Sequence, residues 1–344
     1  MLILLLINKV PTRILLLLRK LCWSSYHKCL LNSIIESRRR FSNKGNSLKP
    51  SVSSTTIVFS NCGNGGITDR FKAMVSLFDF CKNNGLEFRI SAKKPFDFEY
   101  FFQPSEYDWR IDEESLSQAA NDNQVFQACL SSGGCCGKDE WAVQQYTLSK
   151  LVGTQRYKYI IIHSSAPYGL AKFAETFKEL FKPTDSLMEK INHHLSYLGS
   201  FISVSFRFVN LLGDSNEKVI GYIEQPEQEK EELLDKCIMT LEGLISGHTD
   251  CNILITTDSY NFIQRIKTQG YSNVHFIEGG AIHHHIGFTN SIAINEIEKS
   301  YTEFMLVSKA QEAFQIQVGK MYESKFPKWA ATLNNVPYMI INVE

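Results

Sequence analysis

The amino-terminal fifty residues contain no run of about eighteen clean apolar positions, so they offer no helix built to span a bilayer. The nine cysteines (22, 29, 62, 81, 129, 135, 136, 237 and 251) form no Cys-x-x-Cys pair, and their number is odd. That excludes a disulfide framework and argues against a cysteine zinc site; free, buried thiols in a reducing compartment are the expectation. Net charge is also lacking: 36 basic residues balance 36 acidic ones. The balance is uneven along the chain. Residues 1–50 hold ten Lys and Arg against the single acid Glu36, a charge of +9, so the remainder carries −9. A mildly acidic body excludes broad nucleic-acid binding.

What is present is enough to build a core. The chain has 344 residues, 44% of them hydrophobic, a size that fits two domains better than one. Residues 1–30 are rich in leucine with interspersed Arg and Lys, then Trp23 and Tyr26. Such a segment suits the membrane interface, apolar face inward and cations on anionic headgroups. The expected location is therefore peripheral, on the cytoplasmic face of a membrane. The Arg-rich, acid-poor composition ending in Arg38-Arg39-Arg40 also matches an organellar transit peptide. Residues 43–54 read as a linker.

Residues 51–198 open as an α/β unit. Thr55–Cys62 has the pattern of a buried strand and is followed by a glycine turn, Gly63-Asn64-Gly65-Gly66. Asp69 then opens an amphipathic helix (Phe71, Met74, Val75, Phe78, Cys81), which stops at Asn83-Asn84-Gly85 before a second strand. A glycine turn ahead of a helix can receive a phosphate on backbone N–H groups. Thr68 stands where the third glycine of G-x-G-x-x-G belongs, and no acid follows about twenty residues on, which argues against a plain nicotinamide-cofactor site and leaves a dehydrogenase using the turn of residues 63–68 as a rival reading. The aromatic stretch Pro95–Arg110, with Asp97, Glu99, Glu106 and Asp108, fits either a sugar-binding cleft or a core-covering loop. Helices are expected at 138–152, 170–181 and 186–198, and a strand at 157–163.

Residues 199–344 alternate more cleanly. Strands are expected near 200–209, 252–258, 273–278, 312–318 and 338–343, with helices near 225–246, 260–269, 292–310 and 327–334. This is a doubly wound, mostly parallel sheet whose strand carboxyl ends share one edge. That edge would carry Arg207, Asn210, Thr257-Asp258-Ser259, Glu278-Gly279-Gly280 and residues 319–326. Ligands collect at such edges, and an arginine there can grip a phosphate through a charge-assisted fork. His283-His284-His285 is set aside as a metal site: neighbours in an extended run face opposite ways, and no acid lies close by.

Five segments in order carry a family resemblance. Gly65-Gly66-Ile67-Thr68-Asp69-Arg70-Phe71, Val204-Ser205-Phe206-Arg207-Phe208, Thr256-Thr257-Asp258, Glu303-Phe304-Met305-Leu306-Val307-Ser308 and Ser324-Lys325-Phe326 through Leu333 resemble motifs of the fucosyltransferase-like glycosyltransferases. The group comprises the α1,2-, α1,6- and protein O-fucosyltransferases. The resemblance spans roughly residues 55–344. It implies a GT-B-like fold, two Rossmann-like domains facing a cleft, with residues 51–198 on the acceptor side and 199–344 on the donor side. It implies inverting transfer of fucose from GDP-fucose to a glycan acceptor, with neither metal nor cofactor. Arg207 would hold the donor β-phosphate and Glu303 would read the guanine edge. Asp258, Ser259, Asn210, Ser324, Lys325 and Phe326 would line the donor pocket, with Gly65, Gly66, Asp69 and Arg70 contributing from the first domain. The chain departs from the pattern at Ser205 (histidine in the family), Phe208, Thr68 (glycine) and Glu303 (aspartate). These departures keep open a non-catalytic nucleotide- or glycan-binding relative, or a transferase using another nucleotide sugar.

Overall fold

The computed structural model describes residues 11–21, 31, 35, 54–60, 66–93, 96–130, 140–153, 157–163, 172–214, 222–278 and 292–344. The turn residues 61–65 with Gly65, the Cys135-Cys136 loop, Gly279-Gly280 and His283–His285 lie outside them. Two compact units emerge: Met1–Phe98 with Pro104–Lys182, and Glu99–Gln103 with Pro183–Glu344.

The first unit begins with helix α1 (Thr12–Leu21), in which Leu15 is buried while Ile14, Leu17 and Leu18 are exposed. No helix among the described residues is long and apolar enough to cross a membrane. Then follow β1 (Thr56–Ser60), α2 (Ile67–Asn83), β2 (Glu87–Ser91), a 3-10 turn at Phe98–Tyr100 and β3 (Phe102–Pro104). After them come α3 (Glu113–Asn121), β4 (Val125–Cys129), α4 (Glu140–Val152), β5 (Tyr159–His163), α5 (Phe173–Leu180) and β6 (Phe181–Pro183). Strands β2-β1-β5-β4 form a parallel sheet in that order. Helix α2 starts two residues before Asp69, with Gly66 as its N-cap. The sequence patterns pass over α3 and β4. The helix Glu-Glu-Ser-Leu-Ser-Gln-Ala-Ala-Asn buries only Leu116 and Ala119, too few apolar positions for a visible period. Its start is set by the Asp112 side chain, which accepts from the Glu114 N–H.

The aromatic stretch settles as core. Phe96, Phe98, Phe101, Phe102 and Trp109 are buried, whereas Tyr100 is exposed. Phe98, Trp109 and Phe181 pack with ring centroids 5.4–5.9 Å apart, and Phe71 meets Phe98, Phe177 and Phe181. The Trp109 indole N–H donates to the Leu180 carbonyl at 2.7 Å, as a buried polar tip must. The sugar-cleft reading of this stretch is therefore replaced by a packing role.

The second unit runs α6 (Asp185–Leu198), β7 (Phe201–Phe206), α7 (Glu227–Gly247), β8 (Asn252–Thr257), α8 (Tyr260–Gln269) and β9 (Val274–Phe276). It continues with α9 (Ile292–Val307), β10 (Ala313–Val318), α10 (Phe326–Thr332) and β11 (Tyr338–Val343). All its strands are parallel, in the order β11-β10-β7-β8-β9. Central strand β7 is buried at every residue. Ile202, Val204 and Phe206 join one hydrophobic cluster with Leu233, Cys237 and Leu241 of α7 and Phe262 of α8. Ser203 and Ser205 alternate with them, as the two-residue period of a strand requires.

Replacing Trp109 by alanine should lower the unfolding free energy by about 3–5 kcal/mol, the usual result of emptying a large aromatic site. Urea unfolding of the Trp109→Ala variant checks this. A variant of undiminished stability would return the stretch to a surface role.

Candidate functional site

The order of the second sheet reverses between β7 and β10. From β7 the chain steps outward through β8 to β9, then returns to the other flank at β10. Crevices at the carboxyl ends of such a switch point are where open α/β sheets hold ligands. Arg207 is the first residue after β7, and Gly319 to Lys325 follow β10.

Arg207 owes its position to its neighbours. The strand ends at Phe206, yet Phe208 is also buried; the two rings lie nearly parallel at 6.4 Å and both pack on Phe262. With Phe206 and Phe208 committed to that core, the residue between them is turned the other way. Val209 then adopts φ +57°, a left-handed conformation rarely accepted by a β-branched residue. The Asp258 carboxylate holds this strained turn. Its Oδ1 accepts from the Phe208 N–H at 2.8 Å, and its Oδ2 accepts from the Val209 N–H at 2.7 Å. The same Oδ2 lies 3.1 Å from an Arg207 guanidinium nitrogen. Burial pushes the Asp258 carboxyl above its ordinary range, and Arg207 followed by the two amides pulls it back. The Arg207 side chain keeps 20% of its surface exposed, whereas Asp258 keeps 3%. The result is a cation aimed and braced from behind at a strand end, an arrangement suited to receiving an oxyanion.

The other candidates divide. Ser259 caps α8: its hydroxyl accepts from the Phe262 N–H at 3.0 Å and donates to Asp214 Oδ2 at 2.7 Å. Asp214 Oδ2 also accepts from the Asn261 N–H at 2.8 Å. Residues of the chain itself thus occupy this helix start, and Asp214 is a structural carboxylate that the sequence patterns did not single out. Asn210, half-buried, lies in the turn after Arg207, where its carbonyl accepts from the Gly213 N–H. Gly213 is required there. Its φ is +75°, and a Cβ would come within 2.4 Å of the Glu224 carboxylate.

Glu303 is buried on α9 with Lys299 one turn before it; Nζ and Oε1 are 2.9 Å apart. Burial raises the Glu303 carboxyl, and Lys299 opposes the shift. Lysine before glutamate is the weaker order on a helix, so helix stability alone does not account for the pair. After β10, the Ser324 hydroxyl accepts from the Phe326 N–H at 3.2 Å, Lys325 pairs with Glu323, and the Phe326 ring meets Phe304 at 5.6 Å. Ser205, at the family's histidine position, is buried and shares a 2.6 Å hydrogen bond with the Thr256 hydroxyl.

In the first unit, Asp69 pairs with Lys72 at 2.6 Å. Arg70 is buried with its guanidinium 5.8 Å from the Phe96 ring centroid. That sheet's order reverses between β1 and β5, where Ser60 and His163 stand in register; His163 Nε2 lies 3.1 Å from Gln127 Oε1. Among the described residues no group of three or more His, Cys, Asp or Glu is placed to hold a metal.

Asp258→Asn should cost about 3 kcal/mol of stability, because it removes one side of a buried, hydrogen-bonded ion pair. In an Arg207→Ala background the same change should cost at least about 1 kcal/mol less. A double-mutant cycle by urea unfolding measures this coupling, and strict additivity would show that the two residues act independently.

No protein-family model and no curated protein matches the sequence. Solved structures do. A NodZ α-1,6-fucosyltransferase co-crystallised with GDP aligns with a TM-score of 0.51 at 12% identity, covering 82% of this chain and 93% of that one. A second structure of NodZ, from Bradyrhizobium, aligns at 0.50 with the same identity and coverage. At this identity the likeness is one of architecture: the chain has the mixed α/β fold, with parallel Rossmann-like sheets, of the fucosyltransferase-like glycosyltransferases.

Proposed function

We propose that this protein is a glycosyltransferase that moves fucose from GDP-fucose to a hydroxyl of a glycan acceptor, with inversion and without a metal. The observation that carries the reading is Arg207, a partly exposed guanidinium at the β7/β10 switch point, braced by the buried Asp258. The similar NodZ structure supports it, having been co-crystallised with GDP. In the reaction the acceptor oxygen attacks C1 of the sugar from the face opposite the diphosphate. The bond from C1 to the β-phosphate oxygen breaks, GDP leaves with the electron pair, and the acceptor proton passes to a base or to solvent. Negative charge grows on the β-phosphate as the bond breaks. A fixed guanidinium at that point stabilises the transition state more than the ground state, the condition for catalysis.

The donor-site roles follow from the same reading. Glu303 faces the guanine N–H edge, and Asn210, Asp258, Ser259, Ser324, Lys325 and Phe326 shape the donor pocket. Residues 1–30, with exposed Ile14, Leu17 and Leu18, rest on an anionic membrane surface. Deleting residues 1–50 should then abolish flotation with phosphatidylserine vesicles, and equal flotation of both forms would refute the anchor. A second reading, a nucleotide-binding relative without turnover, is favoured by Ser205, whose hydroxyl is spent on Thr256 where the family has histidine.

Thermal unfolding with GDP, UDP, CMP, ADP and NAD, each with and without EDTA, tests the proposal. Selective, EDTA-insensitive stabilisation by GDP is expected, since a ligand bound only to the native state stabilises it by mass action. No shift with GDP would overturn it. In a GDP-fucose turnover assay, Arg207→Ala should lose about a hundredfold or more, as for removal of an oxyanion-stabilising donor. Arg207→Lys, which keeps the charge and loses the fork, should recover part of that loss. Binding of GDP with no turnover on any acceptor would favour the second reading.

A further inference from the structure

We infer that helix α1 is a membrane-inserting face held to the folded chain: Ile14, Leu17 and Leu18 enter an anionic bilayer while Leu15 fastens the helix to the protein. The assignment rests on the anchor reading above and narrows it from a segment to three inserted side chains and one orientation. Helix α1 starts at Pro11, whose carbonyl accepts from the Ile14 and Leu15 N–H groups at 2.9 and 3.2 Å. Leu15 is 2% exposed and Leu16 is half-buried, whereas Ile14, Leu17 and Leu18 are 46, 59 and 42% exposed. At about 3.6 residues per turn the three exposed residues share one stripe, roughly opposite Leu15 and Leu16. Leu31 and Ile35 are also buried, so the segment belongs to the fold and is not a free tail.

The stripe stands apart from the rest of the surface. Among the described residues the other large exposed apolar and aromatic side chains, such as Tyr197, Met239, Tyr260 and Met339, stand one to an element. Single apolar groups on a surface are ordinary, whereas adjacent ones on one face mark an interaction.

Charge and length select the occupant. No acid precedes Glu36, and Lys9, Arg13, Arg19 and Lys20 lie in or beside the helix in the sequence. A second copy of the chain would bring these cations against their like, whereas anionic headgroups meet them with the opposite sign. The helix has ten residues, about 15 Å, half of the roughly 30 Å of a bilayer's hydrocarbon core. It therefore lies in the plane of the interface, where aliphatic side chains reach the acyl boundary and cations stay among the headgroups. The buried Leu15 side turns the folded chain away from the lipid, which holds the protein in one orientation on the surface.

Flotation of the full-length protein with vesicles of phosphatidylcholine and phosphatidylserine in equal parts tests the assignment, alongside thermal unfolding and sedimentation equilibrium. The triple variant Ile14→Ser/Leu17→Ser/Leu18→Ser should lower vesicle partitioning about a hundredfold, through the loss of three aliphatic contacts with lipid. Its thermal midpoint should stay at the wild-type value, because the three side chains face outward. Leu17→Ser alone should lower partitioning about fivefold. Leu15→Ala should instead lower the midpoint, as emptying a buried leucine site does. If the triple variant partitions like wild type while deletion of residues 1–50 abolishes flotation, the three-residue assignment is overturned and the anchor reading stands. A lowered midpoint in the triple variant, or a wild-type dimer that the triple variant converts to monomer, would also overturn it, since either gives the stripe a protein partner. A Leu15→Ala protein of wild-type midpoint would overturn the fastening and the fixed orientation. Wild-type protein that does not float would overturn the anchor reading, and the assignment with it.

Discussion

The second unit depends on one carboxylate. Asp258 directly follows β8, lies almost wholly out of solvent and divides its two oxygens among two backbone amides and a guanidinium. The amides belong to Phe208 and Val209, the point where β7 leaves the sheet with a left-handed valine. Such backbone strain, of order 1–3 kcal/mol, persists only where the surroundings over-determine it. Here Phe206 and Phe208 are locked against Phe262 on one side and the carboxylate grips the turn on the other. The cost of burying Asp258 is offset by the same contacts that direct Arg207 toward the crevice. Folding and site geometry are one arrangement at this place, so a change to either residue registers in both.

A division of labour among polar groups follows around this clamp. Asp214 and Ser259 close the start of α8, which removes a helix terminus that would otherwise attract an anion. Ser205 and Thr256 satisfy each other between β7 and β8. Lys299 and Glu303 form a buried pair in the order least useful to a helix. With those groups paired internally, Arg207 remains as a partly exposed cation at the switch point, and the loop after β10 runs beside it, the Tyr322 N–H donating to the Arg207 carbonyl. The aromatic residues are sorted in the same way. Phe96, Phe98 and Trp109 are buried in the first unit, whereas Phe101 and Phe102 pack on Tyr301 in the second.

Much of the fold was legible in the sequence. In residues 199–344 every strand and helix falls within about three residues of its periodic signal, because buried parallel strands are written as continuous apolar runs between amphipathic helices. In the first unit α3 and β4 escaped, since α3 buries two apolar residues and β4 is a five-residue edge strand. Arg207 was visible as a lone cation at a strand end.

By itself the sequence determined the alternation of strands and helices, the cation at the end of β7 and the uneven charge between the first fifty residues and the rest. Those are local quantities: side-chain period, strand propensity and composition act within a few residues of one another. The tertiary structure alone decided which carboxylate braces Arg207, which aromatic residues are interior and which backbone amide binds its carbonyl. Asp258 lies 51 residues beyond Arg207 and Tyr322 lies 115 beyond it, so only the parallel pairing of β8 and β10 on either side of β7 brings these groups to one edge.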